Sequence, residues 1–76
     1  MGSGKTQNLA VTEFTFGKDH YHRYRDMAVW CQQKIGPGGW GPPQGNDVWG
    51  HEVMFGNSAF YFTNERDAVI FALHWL

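Results

Sequence analysis

His20, His22, Cys31, His51 and His74 are the residues whose types could hold a metal or carry a proton. Their spacing argues against both. His20 and His22 stand two apart on a predicted helix, so their side chains diverge. Cys31 falls in an apolar stripe late in that helix, where burial and the negative end of the dipole both disfavour a thiolate. No two of the five stand at the tight spacing of a zinc site. Cys31 is read as a small core residue, and no metal and no cofactor is expected. Glu13, Glu52 and Asp47 could face one another on adjacent strands as acid–base carboxylates, but nothing in the sequence fixes their separation. GSGKT, Gly2 to Thr6, matches the end of a phosphate-binding loop. The pattern's first glycine, its preceding strand and its capped helix are not there. No catalytic residue set emerges, and a non-enzymatic protein is expected.

Two surfaces remain that could bind rather than react. The segment HYHRYR, His20 to Arg25, interleaves basic and aromatic residues, a mixture that can stack bases and hold phosphates. With Tyr61 on a strand, the residues Arg23, Tyr24 and Arg25 form the candidate set for single-stranded nucleic acid. Six Lys and Arg stand against seven Asp and Glu, giving a net charge of −1. Such a chain has no field to concentrate phosphate, so nucleic acid is the alternative reading. The other surface is GPGGWGPPQGNDVWG, Gly36 to Gly50, with six of the ten glycines, all three prolines and two of the four tryptophans. A connection this long in a small domain is functional or disordered, and tryptophans argue against disorder. Trp40, Trp49, Pro42 and Pro43 are therefore the candidates for contact with a protein partner. The tryptophans could equally fold back and cap the core.

The elements that must position these groups can be read in order. Residues 1–8 form a small, polar, tag-like tail, expected to be flexible. Residues 9–76 form one α+β domain with its Gly/Pro/Trp-rich loop at 36–47. Asn8 to Phe16 reads as a strand ended by Gly17. Residues 19–35 read as a helix, with Asp19 as cap and Tyr24, Met27, Ala28, Cys31 and Ile35 in one stripe. Gly36 and Pro37 end it. Val48 to Phe55 and Ser58 to Phe62 read as a hairpin turning on Gly56–Asn57. That turn sets Phe55 opposite Ser58, Val53 opposite Phe60 and His51 opposite Phe62. Val53, Phe55, Phe60 and Phe62 share the core face, and Glu52, Met54, Ala59 and Tyr61 the other. Asn64 caps the last helix, with Asp67 placed to bond back. The predicted fold is a three-stranded antiparallel sheet with two helices, in the order strand-helix-strand-strand-helix. This is a ferredoxin-like order lacking its last strand.

Such a small core supplies only about 3–5 kcal/mol without a staple. A single cysteine excludes an internal disulfide. The last helix reads AVIFALHWL from Ala68 to Leu76, apolar nearly all round, so it must be buried on more than one side. A homodimer is the simplest cover, with Ile70, Leu73 and Leu76 as contacts and Ala68, Phe71, Ala72 and Trp75 turned to the sheet. No apolar run approaches a membrane span and no signal-peptide core is present, so a cytoplasmic protein is expected.

The helix end AVWCQQKIGPGGWG, the strand SAFYF and the closing helix ERDAVIFALHW resemble a set of small uncharacterised proteins of tailed phages, especially marine ones. The resemblance covers Tyr24 to Trp75. It implies an accessory protein acting in the host cytoplasm on a host or viral protein. It carries no activity and no functional residues.

Overall fold

A computed structural model describes residues 11–76. The tail, GSGKT and the start of the first predicted strand lie outside the described residues. The order is β1 (Thr12–Phe16), a 3-10 helix (Lys18–Arg23), α1 (Tyr24–Lys34), β2 (Gly39–Trp40), β3 (Trp49–Met54), β4 (Asn57–Phe62) and α2 (Glu65–Trp75). The class is α+β, with both helices on one face of the sheet.

The sheet has four strands in the order β1-β4-β3-β2. β4 pairs antiparallel with β1 and with β3, while β2 pairs parallel with β3. The fourth strand corrects the expected three-stranded antiparallel sheet. Inside the glycine-rich loop, Gly39 and Trp40 run beside Gly50 and His51, and Gly41 N–H bonds to His51 C=O at 2.8 Å.

The hairpin also differs from expectation. Met54 pairs with Asn57, so Phe55 and Gly56 make the turn, with φ 48° and 85°. Both central residues are left-handed, as the primed turn requires. A left-handed Phe costs roughly 1–2 kcal/mol. What offsets it is the resulting register, in which Trp49 faces Phe62 and His51 faces Phe60. A fully buried Trp is worth about 3–5 kcal/mol against Ala, so burial of Trp49 wins. The slide is two residues, which preserves the side-chain faces. Phe60 and Phe62 therefore stay in the core as expected, but Phe55 leaves it and stands fully exposed at the tip.

The predicted helix 19–35 divides. Its first turn and a half is 3-10, without a side-chain cap from Asp19, as His20, Tyr21 and His22 are poor helix formers. α1 then runs to Lys34 and closes with Ile35 and Gly36 N–H on Cys31 C=O, Gly36 having φ 131°. Asn64 does cap α2, its side chain accepting from Arg66 N–H at 2.9 Å. The core is Phe16, Met27, Cys31, Trp49, Phe60, Phe62, Ala68 and Phe71. Phe71 is its hub, with ring centroids 5.3 Å from Phe14, 5.2 Å from Phe60 and 4.9 Å from Phe62.

Candidate functional site

The glycine-rich loop is built around Trp49. Its indole N–H donates to Gly36 C=O at 2.6 Å, and its ring lies where a Cβ on Gly38 would stand. A Cβ on Gly50 would meet the Gly41 carbonyl. Glycine is therefore required where the loop crosses the ring and where it crosses β3. Asp47 holds the far side, accepting from Gln44 N–H at 3.3 Å. Trp49 is fully buried and leaves the set of partner-contacting candidates; it caps the core. Trp40 is 68% exposed on β2, with Pro42 exposed and Pro43 half-buried beside it.

Beneath Trp40 lies a pair that the sequence reading did not single out. His51 points to the helix side, stacked on Trp49 at 5.2 Å and crossed by the Trp40 ring at 5.5 Å. The Tyr24 hydroxyl bonds to His51 Nδ1. Burial lowers the His51 pKa. Burial raises that of Tyr24, with Tyr21 and Glu52 adding. Both shifts leave the phenol and the imidazole neutral, and one hydrogen bond joins them. The pair is a polar link between α1 and β3. The alternation Trp49, His51, Val53 along one strand face was the available signal.

The open face of the sheet carries a shallow cavity of about 220 Å³ lined by Glu13, Thr15, Glu52, Met54 and Tyr61 among others. Tyr61 donates to Glu52, and Thr15 Oγ1 donates to Glu13 Oε2 at 3.1 Å. The bond to Glu52, then burial and the charges of Glu52 and Glu13, push the Tyr61 hydroxyl up to about 12. That phenol is a committed donor. Asp47, bonded within the loop, does not join the other two carboxylates. Among the described residues no three His, Cys, Asp or Glu side chains gather where a metal could sit.

The nucleic-acid candidates separate. Arg23 lies over the Trp75 ring at 5.2 Å, and Arg25 stands beside Trp30 and His74 at the outer groove between the helices. Tyr24 points into the helix side and Tyr61 into the opposite face. Cys31 is buried, and burial, with the Asp67 charge adding, pushes its thiol up to about 12. Asp67 makes no hydrogen bond back to Asn64 among the described residues.

α2 is the apolar surface. Ala68 and Phe71 are buried, while Val69, Ile70, Leu73 and Leu76 are exposed, Leu73 at 81% and Leu76 at 71%. Its Asp, Glu and Arg residues are confined to Glu65, Arg66 and Asp67 in the first turn. No helix among the described residues is long and apolar enough to cross a membrane. No family model matches the chain, and no curated protein or solved structure matches it significantly.

Proposed function

We propose that the protein is a non-enzymatic interaction module that works as a homodimer, with α2 as its docking face. The observation that carries this reading is the run of Val69, Ile70, Leu73 and Leu76 exposed together on one helix. Single exposed apolar residues are ordinary, but a contiguous patch marks an interaction surface. Leu73 and Leu76 are flexible aliphatic side chains with no charged neighbour on the same turn, as the centre of an interface requires. Trp40 and Pro42 supply a second, smaller surface, suited to an aromatic anchor on another protein. The sequence resemblance makes that other protein a host or viral one, met in the cytoplasm. The strand order β1-β4-β3 supports the ferredoxin-like reading of the scaffold. Among the described residues, Arg23, Tyr24, Arg25 and Tyr61 do not converge on one surface to support the single-stranded nucleic-acid alternative.

Light scattering on the wild type and on Leu73→Glu tests the proposal. The wild type is expected at twice 8.7 kDa and the variant as a monomer with unchanged circular dichroism. A monomeric wild type overturns it.

A further inference from the structure

β1 and α2 occupy the same flank of the molecule. Phe71 of α2 touches Phe14 and Phe16 on β1 and Phe60 and Phe62 on β4. Tyr24 of α1 touches Phe60 on β4 and His51 on β3. α2 thus lies above the β1–β4 pair and α1 above the β4–β3 pair. β1 is also an edge strand, and among the described residues nothing pairs with its outer side. It carries no Pro or Lys, and its sequence TEFTF has high β propensity, so among the described residues only the charge of Glu13 opposes another strand.

We infer that the partner on this flank is a second copy of the chain. The two β1 strands pair antiparallel about Phe14, giving one continuous eight-stranded sheet with the two α2 helices packed side by side above it. This rests on the homodimer reading and adds the joint.

Three geometrical facts single out this arrangement. The first is parity. A two-fold axis normal to the sheet must keep Thr12, Phe14 and Phe16 on the helix side in both copies, so a residue must lie on the axis. The second is charge. Centring on Glu13 would set two carboxylates directly opposite each other, which is destabilising. Centring on Thr15 shortens the pairing to three residues. Centring on Phe14 pairs the whole strand and sets Glu13 against the second copy's Thr15, a side chain that already donates to Glu13 within one chain. The third is spacing. Strands lie about 4.8 Å apart, so helices above successive β1–β4 pairs stand two spacings, or about 10 Å, from one another. That is the distance at which helices pack.

The same geometry says which α2 residues meet. His74 stacks on Trp30 of α1 at 5.0 Å, so it marks the α1 side of the helix. At 3.6 residues per turn the side away from α1 carries Val69, Ala72 and Leu76, with Leu73 at the crest. Ile70 falls toward α1 and sits at the rim. A standard interface buries ~800 Å² per partner, more than a five-residue strand edge supplies, so the joint uses the α2 flank as well.

Two single variants, Glu13→Cys and Thr15→Cys, test the joint under mild oxidation. Cys31 is buried and does not compete. In the inferred register position 13 of one copy opposes position 15 of the other, with Cα atoms ~4.5–5.5 Å apart, within disulfide range. Position 13 lies about 8 Å from its own counterpart, as does position 15, which is beyond that range. Mixing the two variants is expected to yield about tenfold more covalent dimer than either alone. A mixture that cross-links no better than the single variants overturns the joint. If light scattering still shows a dimer in that case, the α2 reading stands and only the strand pairing fails. Hydrogen exchange on the unmodified chain gives a second reading. The outward β1 amides, which alternate with those already bonded to β4, are expected to slow as concentration rises, and outward amides that exchange at the same rate at every concentration contradict the joint.

Discussion

The two edges of the sheet are finished in opposite ways. At the β2 edge the chain spends three close-fitting glycines and a buried tryptophan to close itself. Gly38 lies against Trp49, Gly41 crosses Gly50, and Pro42 follows within two residues of a strand that is itself two residues long. At the β1 edge five residues of strand end in the open, under a helix whose crest is Leu73 and Leu76. The β2 edge offers little to another strand, because β2 is two residues long with Pro42 close behind it, and Trp49 beneath it is fully buried. Among the described residues, the open edge has both an unpaired backbone and an uncovered apolar face. The proposed interface on the β1 and α2 flank rests on this difference, and Trp40 is exposed at the other end.

The largest effect that could break this comparison is at the two loop tryptophans. Trp49→Ala is expected to cost ~3–5 kcal/mol in urea denaturation, as for other buried aromatics. Trp40→Ala, removing a mostly exposed ring, is expected to cost under about 1 kcal/mol. Similar costs at both sites would mean that the closed edge is not held by Trp49. A step smaller, Gly38→Ala is expected to cost about 1–3 kcal/mol, since its methyl group must displace the Trp49 ring. A neutral result there would show the loop free to move off the tryptophan.

Ser58 sharpens the account of the core between the edges. It is 2% exposed and its hydroxyl has no hydrogen-bond partner among the described residues. Ser58→Ala is expected to raise stability by about 1 kcal/mol, because it removes an unsatisfied buried group. A loss of stability would indicate a partner for that hydroxyl. The smallest effect is on acid stability near the closed edge. Burial lowers the His51 pKa below its ordinary 6.5. As pH falls below that value the unfolded chain takes up the proton before the folded one, so stability declines with falling pH until the folded-state pKa is passed. Denaturation of wild type and His51→Gln at pH 8 and pH 5 reads this directly. The variant is expected to show the shallower decline, and equal declines would remove His51 from the account.

Much of this was legible in the sequence, and the departures have local causes. Asn64 announces α2, and Gly36 announces the end of α1, because a cap is chemistry within a few residues. The faces of the hairpin follow from alternation alone. The turn does not, because Gly56–Asn57 is locally a better primed turn than Phe55–Gly56. Only the long-range burial of Trp49 against Phe62 selects the second. β2 was hidden for the same reason. Two residues of strand leave no periodicity, and Gly38 and Gly50 read as loop glycines until the ring and the carbonyl that crowd them are in place. The Tyr24–His51 bond joins residues 27 apart, so the alternation Trp49, His51, Val53 places His51 on the helix side but does not name its partner. The exposed apolar run on α2 was legible from composition, because the core available to cover it is small.

The central claim is that the open flank is self-complementary. Sedimentation equilibrium of the unmodified chain across the micromolar range tests it most directly. The account predicts a reversible monomer–dimer equilibrium with the dimer dominant at the upper end and little sensitivity to salt, because the contact is apolar and backbone-mediated. A single monomeric species throughout would contradict it.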